Sequence, residues 1–210
     1  MGNSARTPKT ATPEPGEPER FDLRESLCFP YLPVENQGSA LTCVAHSFAM
    51  ALFCDALQQG TVDYPQLELV FAEAMRKSPD PSRGVSFAAV ASAMGSARFQ
   101  QLPNSAARVR RALRAGQAVV AGYQVNDEID RFHRSVEQCE AHNYVLPRFR
   151  KWHRSKSGHA VLLVGYDFRA QAFVARNSWG EAWGVHGHFL IPFQTVEDLA
   201  AVTDLWAVTK

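Results

Sequence analysis

The sequence predicts an α+β fold in which helices dominate the first half of the chain and strands the second. Apolar residues recur at helical spacing between Ala45 and Ala56, as on one buried helix face. After Gly116 the apolar residues instead form short continuous runs, which are typical of buried strands. Helices followed by strands, rather than alternating with them, favour two juxtaposed lobes over a parallel α/β sheet.

The first helix is predicted to begin at Cys43, with Thr42 as its cap, and to stop at Gly60. This places Cys43 in the first turn of a buried helix. Three further helices are predicted at Tyr64–Arg76, at Phe87–Met94, and from Asn104 or Ser105 to Gly116.

The strands of the second half are predicted at Val119–Tyr123, Ala160–Tyr166, Ala172–Arg176, Phe189–Ile191 and Leu205–Val208. Between the first two lies the polar stretch 126–157, interpreted as a long connection with room for a short helical piece. Connections of this length inside a domain are usually functional or disordered.

Composition limits the classes of function. A chain of 210 residues can form one sizeable domain or two small lobes, and a net charge of +1 gives no reason to expect nucleic acid as a partner. No apolar run reaches the roughly 18 residues of a membrane span.

Residues 1–20 hold four prolines and no Val, Ile, Leu or aromatic residue, which predicts a disordered polar tail without the apolar core of a secretory signal. Acylation at Gly2 is the alternative, although Arg6 stands where that motif has Ser or Thr.

The cysteines favour a reducing compartment. Four of them (Cys28, Cys43, Cys54 and Cys139) are too few for a disulfide scaffold of this size, and the sequence has no Asn-x-Ser/Thr site. The predicted location is therefore cytoplasmic. A metal cluster formed by His133, Cys139 and His142 is an alternative, but their spacing fits no closed four-ligand zinc site, so no metal is predicted.

Two residues stand out as a nucleophile and its partner. Cys43 has the helix position that stabilises a thiolate. His159 precedes a strongly apolar strand, which would hold its imidazole on a rigid element facing a cleft. Taken singly, each would more often be a structural residue of the core.

Three sequence blocks change that balance because together they resemble the papain/cathepsin family. Residues 33–39 read PVENQGS and precede Cys43 with a Gln-to-Cys spacing of six, residues 158–161 read GHAV, and residues 176–180 read RNSWG. They occur in the family's order, and the resemblance extends over residues 21–210, most closely to short bacterial members. It implies a papain-like two-lobe fold, with a helical lobe (about 21–115), an antiparallel β-barrel-like lobe (about 116–210) and the active site between them.

The resemblance also implies roles for individual residues. Cys43 would be the nucleophile in a thiolate–imidazolium pair with His159, and Asn177 would orient the imidazole. Gln37 would stabilise the oxyanion together with the Cys43 backbone N–H, and Trp179 would shield the hydrogen bond between His159 and Asn177. The expected activity is thiol-dependent hydrolysis of peptides or proteins without a cofactor.

Substrate contacts follow less directly. Gly84 and Val85 resemble the glycine-led segment along which the family binds extended peptides, and Trp179 is expected beside the same cleft. A loop at a helix start is the alternative interpretation of residues 84–87. The basic residues Arg148, Arg150, Lys151, His153, Arg154 and Lys156 are interpreted either as a rim for acidic partners or as a solvated loop.

Departures from the family pattern keep two other functions open. Ala40, Leu41 and Val44 replace the usual Cys, Gly and aromatic residue beside the nucleophile, and no typical inhibitory propeptide is recognisable in residues 1–20. The protein could therefore be an inactive peptide-binding relative, or a transpeptidase or ligase with the same triad.

Overall fold

The computed structural model describes residues 10–25, 34–62, 64–77, 84–148 and 157–209. Some predicted features lie outside these residues, namely Gly2, Cys28, Pro33 and the basic residues of 150–156. Within the described residues, the helices are α1 (Cys43–Gln58), α2 (Leu67–Arg76), α3 (Phe87–Ala93), α4 (Ala106–Arg114), α5 (Asp127–Arg134), α6 (Val136–Ala141) and α7 (Phe193–Glu197). The strands are β1 (Arg20–Asp22), β2 (Phe99–Gln101), β3 (Val119–Val125), β4 (Ser157–Asp167), β5 (Ala172–Arg176), β6 (His188–Pro192) and β7 (Val202–Val208). The α+β class is confirmed.

Helix α1 begins at Cys43, as predicted, but without the predicted cap. Thr42 has φ −107° and ψ 9°, its side chain makes no capping hydrogen bond, and its buried Oγ1 has no partner among the described residues. An extended conformation would be needed for the hydroxyl to reach back to the first N–H groups. The other end agrees with the prediction, since Gly60 adopts φ +77° and the next N–H, that of Thr61, bonds to Ala56 O at 2.9 Å.

Two other predicted boundaries differ for local reasons. Helix α2 begins at Leu67 instead of Tyr64, because Pro65 disfavours a helical conformation of the residue before it. The long connection contains two helices, α5 and α6. Asn126 caps α5 by accepting from Ile129 N at 2.9 Å, and Ser135 caps α6 by accepting from Gln138 N at 3.3 Å.

The strands form one antiparallel seven-stranded sheet with the order β2-β7-β3-β4-β5-β6. Strand β4 is long enough to pair with β3 through its first part and with β1 through its last residues, while β5 lies on its other edge. The barrel-like closure expected from the resemblance is wrong, since the sheet is open. Among the strands of the described residues, β2 pairs only with β7 and β6 only with β5, so no ladder joins the two edges.

A single buried apolar cluster joins the two halves of the chain. Helix α1 contacts β4, β3 and β7 of the sheet on one side and α2 and α3 on the other. The completely buried Phe48 of α1 lies 4.9 Å, between ring centroids, from Phe99 of β2. The first half also supplies β1 and β2 to the sheet. Helix α1 is thereby held against β4, the strand that carries His159.

Residues 10–22, most of which belong to the predicted disordered tail, pack against the sheet and α4. The buried Glu17 carboxylate pairs with Arg110 Nε at 2.9 Å and with Arg114. Ala11 exchanges two main-chain hydrogen bonds with the Gln171 side chain, at 2.7 and 2.9 Å. Polar contacts therefore order a segment that has too little apolar surface to pack by itself. For residues 1–9, the disordered tail stays a prediction.

Candidate active site

Cys43 is the first residue of α1, at the point where the helix meets β4. Its side chain is partly exposed, and the backbone N–H groups of Ala160 and Val44 are directed at its sulfur. Ser47, one turn later, donates its hydroxyl to the Cys43 carbonyl at 2.9 Å. Because Ala160 directly follows His159 on β4, the structure brings the predicted nucleophile and its partner to neighbouring positions.

His159 and Asn177 meet across the sheet. Strand β5 lies beside β4, with Arg176 opposite Leu162, so Asn177 emerges from the end of β5 next to the start of β4. Its Oδ1 lies 2.8 Å from Nε2 of His159 and also accepts from Ser178 N at 2.9 Å. The His159 Nε2–H therefore donates to Asn177, which leaves Nδ1 for exchange with a neighbouring group.

Aromatic rings surround His159. Trp179 stacks on it with 4.6 Å between ring centroids and 25° between planes, and Tyr123 of β3 meets it edge-on at 5.7 Å. His133 of α5 lies 5.4 Å from the same ring and shares a hydrogen bond of 2.9 Å between its Nε2 and the Tyr123 hydroxyl. Trp179 thus covers one face of the His159 ring, and its shielding of the hydrogen bond to Asn177 stays a prediction. His133 was considered in the sequence only as a metal ligand.

Burial favours the neutral forms of both predicted catalytic groups. It raises the pKa of the Cys43 thiol, although the backbone N–H groups of Ala160 and Val44 act in the opposite direction. It lowers the pKa of His159 to about 4, against the smaller opposing effect of the hydrogen bond to Asn177. This environment opposes the resting thiolate–imidazolium pair that the resemblance implies, and a neutral His159 is a proton acceptor at neutral pH.

Gln37 is held in a loop against the residues that follow β5. Its main-chain N–H donates to Ser178 O at 2.8 Å, and its Oε1 accepts from the Ser178 hydroxyl at 2.5 Å. Its Nε2 donates to Ala40 O at 2.5 Å. Because an amide nitrogen carries two hydrogens, one N–H remains for a developing oxyanion.

A polar network beneath this loop was missed by the sequence analysis. The Glu35 carboxylate accepts from His46 Nδ1 at 2.6 Å and from the Tyr64 hydroxyl, and it interacts electrostatically with Arg176. The available signal was an acidic residue two positions before Gln37 together with a histidine three positions after Cys43.

The predicted substrate residues have different surroundings. Gly84 adopts φ +85° and lies against Leu41, where an added Cβ would be 3.3 Å from the carbonyl oxygen. Leu41 is exposed, whereas the side chain of Val85 is buried, so at Val85 only the main chain is available to a ligand. Trp179 lines an open cleft of about 460 Å³ together with His159, His133 and Asn36. The remaining lining residues are Gly38, Val125, Asp130, Arg134, Ser157, Gly158 and Trp183.

The three residues considered in the sequence as metal ligands have other surroundings in the structure. His133 Nε2 is bonded to Tyr123, His142 Nδ1 lies 2.9 Å from Gln138 O, and Cys139 is buried with its pKa raised to about 11. No group of three His, Cys, Asp or Glu side chains suited to a metal occurs in the part of the chain that the structure describes. None of the helices described here is long and apolar enough to cross a membrane.

Comparison with protein families gives one match, to the model described as papain family cysteine protease, over residues 84–202. The matched range is more than half of the chain. It includes His159, Asn177 and Trp179 and begins after Cys43 and Gln37.

Sequence relatives include an uncharacterized peptidase C1-like protein of Acanthamoeba polyphaga mimivirus, 28% identical over 102 residues. That alignment covers 49% of this chain and 31% of the relative. Testin-2 of Mus musculus is 30% identical over 118 residues, which are 53% of this chain and 32% of the relative. The chain thus spans about a third of the length of the curated relatives that it matches.

Solved structures share the fold. Xylellain, a cysteine protease from Xylella fastidiosa, superposes with a TM-score of 0.79 at 18% identity, covering 96% of this chain and 91% of xylellain. A Carica candamarcensis cysteine protease superposes with a TM-score of 0.66 at 19% identity, covering 92% of this chain and 99% of that one.

Proposed function

Because the chain belongs to the papain family of cysteine proteases, we propose that it hydrolyses peptide bonds with Cys43 as nucleophile, His159 as acid and base, and Asn177 as the orienting residue. The observation that carries the proposal is the 2.8 Å hydrogen bond between His159 Nε2 and Asn177, formed beside the thiol at the start of α1. Neutral amide oxygens perform this orienting role in papain-like sites.

The neutral resting state assigns the first proton transfer to His159. On substrate binding, its Nδ1 takes the proton of the Cys43 thiol, and the N-terminus of α1 favours the thiolate that forms. The sulfur then attacks the peptide carbonyl carbon. Collapse of the tetrahedral species expels the amine, which takes the proton from His159 and leaves a thioester on Cys43.

Water completes the cycle. His159 removes a proton from a water molecule that attacks the thioester carbonyl, the C–S bond breaks, and the Cys43 sulfur regains the proton. In both halves of the reaction the carbonyl oxygen carries negative charge. The Cys43 backbone N–H and the second Nε2 hydrogen of Gln37 are the donors proposed for that oxygen, and losing one such donor costs about 2.7–4 kcal/mol in comparable sites.

The substrate is proposed to be an extended peptide or protein segment. Gly84 and Val85, which match the family's glycine-led segment, are proposed to lie beside the bound main chain. Trp179 and the cleft of about 460 Å³ border His159, and the leaving amine is proposed to exit there.

The location is proposed to be intracellular. Cys43 and Cys139 form no disulfide, and Cys139 is buried. Free thiols of this kind suit a reducing compartment.

Covalent labelling tests the proposal. We expect an epoxide thiol reagent at neutral pH to modify folded wild-type protein at Cys43, and peptide hydrolysis to disappear with labelling. Cys43→Ala should remove both the label and the activity, while Cys54→Ala, a change at a buried cysteine of the same helix, should keep both. Hydrolysis that persists in Cys43→Ala would contradict the assignment of the nucleophile.

An inactive peptide-binding protein is the second candidate. It is favoured by the burial that opposes charge on both Cys43 and His159, and by a family match that begins after Cys43. Equal peptide affinity without turnover in wild type and in Cys43→Ala would support it. Transpeptidation by the same triad would appear as transfer of the acyl group to an added amine in product analysis.

A further inference from the structure

We propose that Glu35 is a positioning residue that orients Gln37 toward the oxyanion by fastening its loop to α1. The inference rests on the proposed function and concerns how its site is held together. Two partners of Glu35 are close in sequence to predicted catalytic residues: His46 follows Cys43 by three positions, and Arg176 directly precedes Asn177.

The side chain of Glu35 joins three separate parts of the chain. Its Oε2 accepts from His46 Nδ1 of α1 at 2.6 Å, and its Oε1 accepts from the hydroxyl of Tyr64, before α2. The carboxylate and the imidazole are only 22% and 15% exposed, so solvent screens this contact weakly. Such a charge-assisted pair is stronger than a neutral hydrogen bond.

Electrostatics keeps Glu35 ionised. Burial by itself would raise the pKa of the carboxyl, but the hydrogen bonds from His46 and Tyr64 and the positive charges of His46 and Arg176 outweigh it, and the pKa lies below its usual value. In turn, burial and the carboxylate raise the pKa of the Tyr64 hydroxyl, which therefore stays a donor.

The main chain around Glu35 is fastened to the loop after β5. Glu35 O accepts from Gly180 N at 2.8 Å, Asn36 forms an isolated bridge with Trp179, and Gln37 N donates to Ser178 O at 2.8 Å. These bonds fix the loop on the His159 side of the site. The Glu35 side chain supplies the matching attachment on the Cys43 side.

Both attachments are needed because Gln37 and the Cys43 backbone N–H must donate hydrogen bonds to the same substrate oxygen. One donor belongs to the loop and the other to α1, so their spacing depends on how the loop sits on the helix. His46 lies one turn from Cys43 on that helix and transmits the position of the loop. A shift of about 1 Å in such a donor reduces rates by about 100-fold.

Two reactions of Cys43 separate this role from general damage. Alkylation by iodoacetamide is a displacement at a saturated carbon and develops no oxyanion, so its rate reports the reactivity of the thiol alone. Hydrolysis of a peptide or ester substrate requires the oxyanion donors as well. The ratio of kcat to the alkylation rate therefore reports the position of Gln37.

We expect Glu35→Gln to lower kcat by about 10- to 100-fold while changing the alkylation rate by less than about 3-fold. His46→Phe should have the same effect, and His46→Asn should restore part of kcat because its amide N–H replaces the donor at Nδ1. Tyr64→Phe removes one hydroxyl and provides a milder variant if Glu35→Gln folds poorly.

The matched control is Glu17→Gln, which removes a buried ion pair with Arg110 and Arg114 at the far end of the sheet. It should lower stability and leave the ratio of kcat to the alkylation rate at the wild-type value. A parallel fall of both rates in Glu35→Gln, or an unchanged ratio, would overturn the positioning role alone. Absence of wild-type turnover with every peptide and ester would instead overturn the proposed function, and this inference with it.

Discussion

The chemistry of His159 is governed by what covers its ring. Trp179 stacks on one face at 4.6 Å, and burial is the largest cause of the low pKa of the imidazole. A ring so covered is a poor cation, so it is neutral at neutral pH and can accept a proton, but its low pKa also makes it a weak base. The aromatic cover is thus part of how the proposed site sets its protonation state.

Replacing Trp179 with Ala tests this relation. The smaller residue admits water, so the pKa of His159 should rise from about 4 toward its usual 6.5. The acid limb of kcat/KM should move to higher pH by the same amount, and kcat should fall as water competes for the bond to Asn177. Trp179→Phe keeps an aromatic cover and should keep the wild-type pH profile. A histidine pKa that NMR titration finds unchanged in Trp179→Ala would contradict the prediction.

Buried histidines also couple folding to pH. Burial lowers the pKa of His159 and of His188 to about 4, against 6.5 for an exposed imidazole. Between these values the unfolded chain binds more protons than the folded one, so stability decreases as the pH falls from 6.5 to about 4. Each histidine can account for up to roughly 3 kcal/mol of this loss.

Urea unfolding at about pH 7.5 and about pH 4.5 measures this loss. His188→Asn replaces one of the buried histidines, and its amide N–H can take the place of the Nδ1 donor that faces His186 O at 2.6 Å. The variant should show a smaller dependence of unfolding free energy on pH than wild type. Asp22, Arg24 and Arg176 face the same imidazole. Equal slopes in the two proteins would show that His188 is not the titrating group.

At the scale of elements, β4 organises the site. Its first residues carry His159, the following N–H of Ala160 addresses Cys43, and its last residues pair with β1. The pairing with β1 needs Gly165, since an added Cβ there would lie 2.6 Å from Phe21 O and 3.1 Å from Asp22 Cα. A main-chain neighbour cannot move aside as a side-chain end can.

Gly165→Ala is therefore expected to separate β1 from β4 and to cost about 1–3 kcal/mol of stability. Trypsin cleavage after Arg20 or Arg24 should become faster, because the strand no longer holds these residues. Gly158→Ala is the control in the same strand, since its Cβ would meet only Tyr123 O at 3.6 Å. Unchanged cleavage in Gly165→Ala would contradict this account of β1.

At the scale of the whole molecule, the helices and the sheet share one core. Helix α1 is buried between β4 on one side and α2 and α3 on the other, and its Phe48 contacts Phe99 and Trp206 of the sheet. Neither half can keep its apolar surface from water without the other.

We expect thermal or urea unfolding to be one cooperative transition. Three of the four tryptophans, Trp179, Trp183 and Trp206, lie in the sheet half, while helical CD reports largely on the first half. Fluorescence and far-UV CD should give the same midpoint. Separate midpoints would indicate that the two lobes unfold independently.

Much of the fold and the candidate site was predictable because the signals were local or were carried by motifs. The apolar stripe and Gly60 predicted α1, and the apolar runs predicted β3 to β5. The three motif blocks predicted that Cys43, His159 and Asn177 belong to one site. The stretch 126–157 was less clear, because helices α5 and α6 are short and depend on caps at Asn126 and Ser135.

The sequence by itself determined the α+β class, the family resemblance and the candidate catalytic residues, because residue spacing and motif order are properties of the chain. Only the tertiary structure decided that the sheet is open, that Thr42 does not cap α1, and which groups Glu35 and Glu17 contact. Glu17 meets Arg110 across 93 positions, and Glu35 meets Tyr64 across 29. The protonation states of Cys43 and His159 were also decided by the tertiary structure, since their pKa values depend on burial by residues distant in sequence.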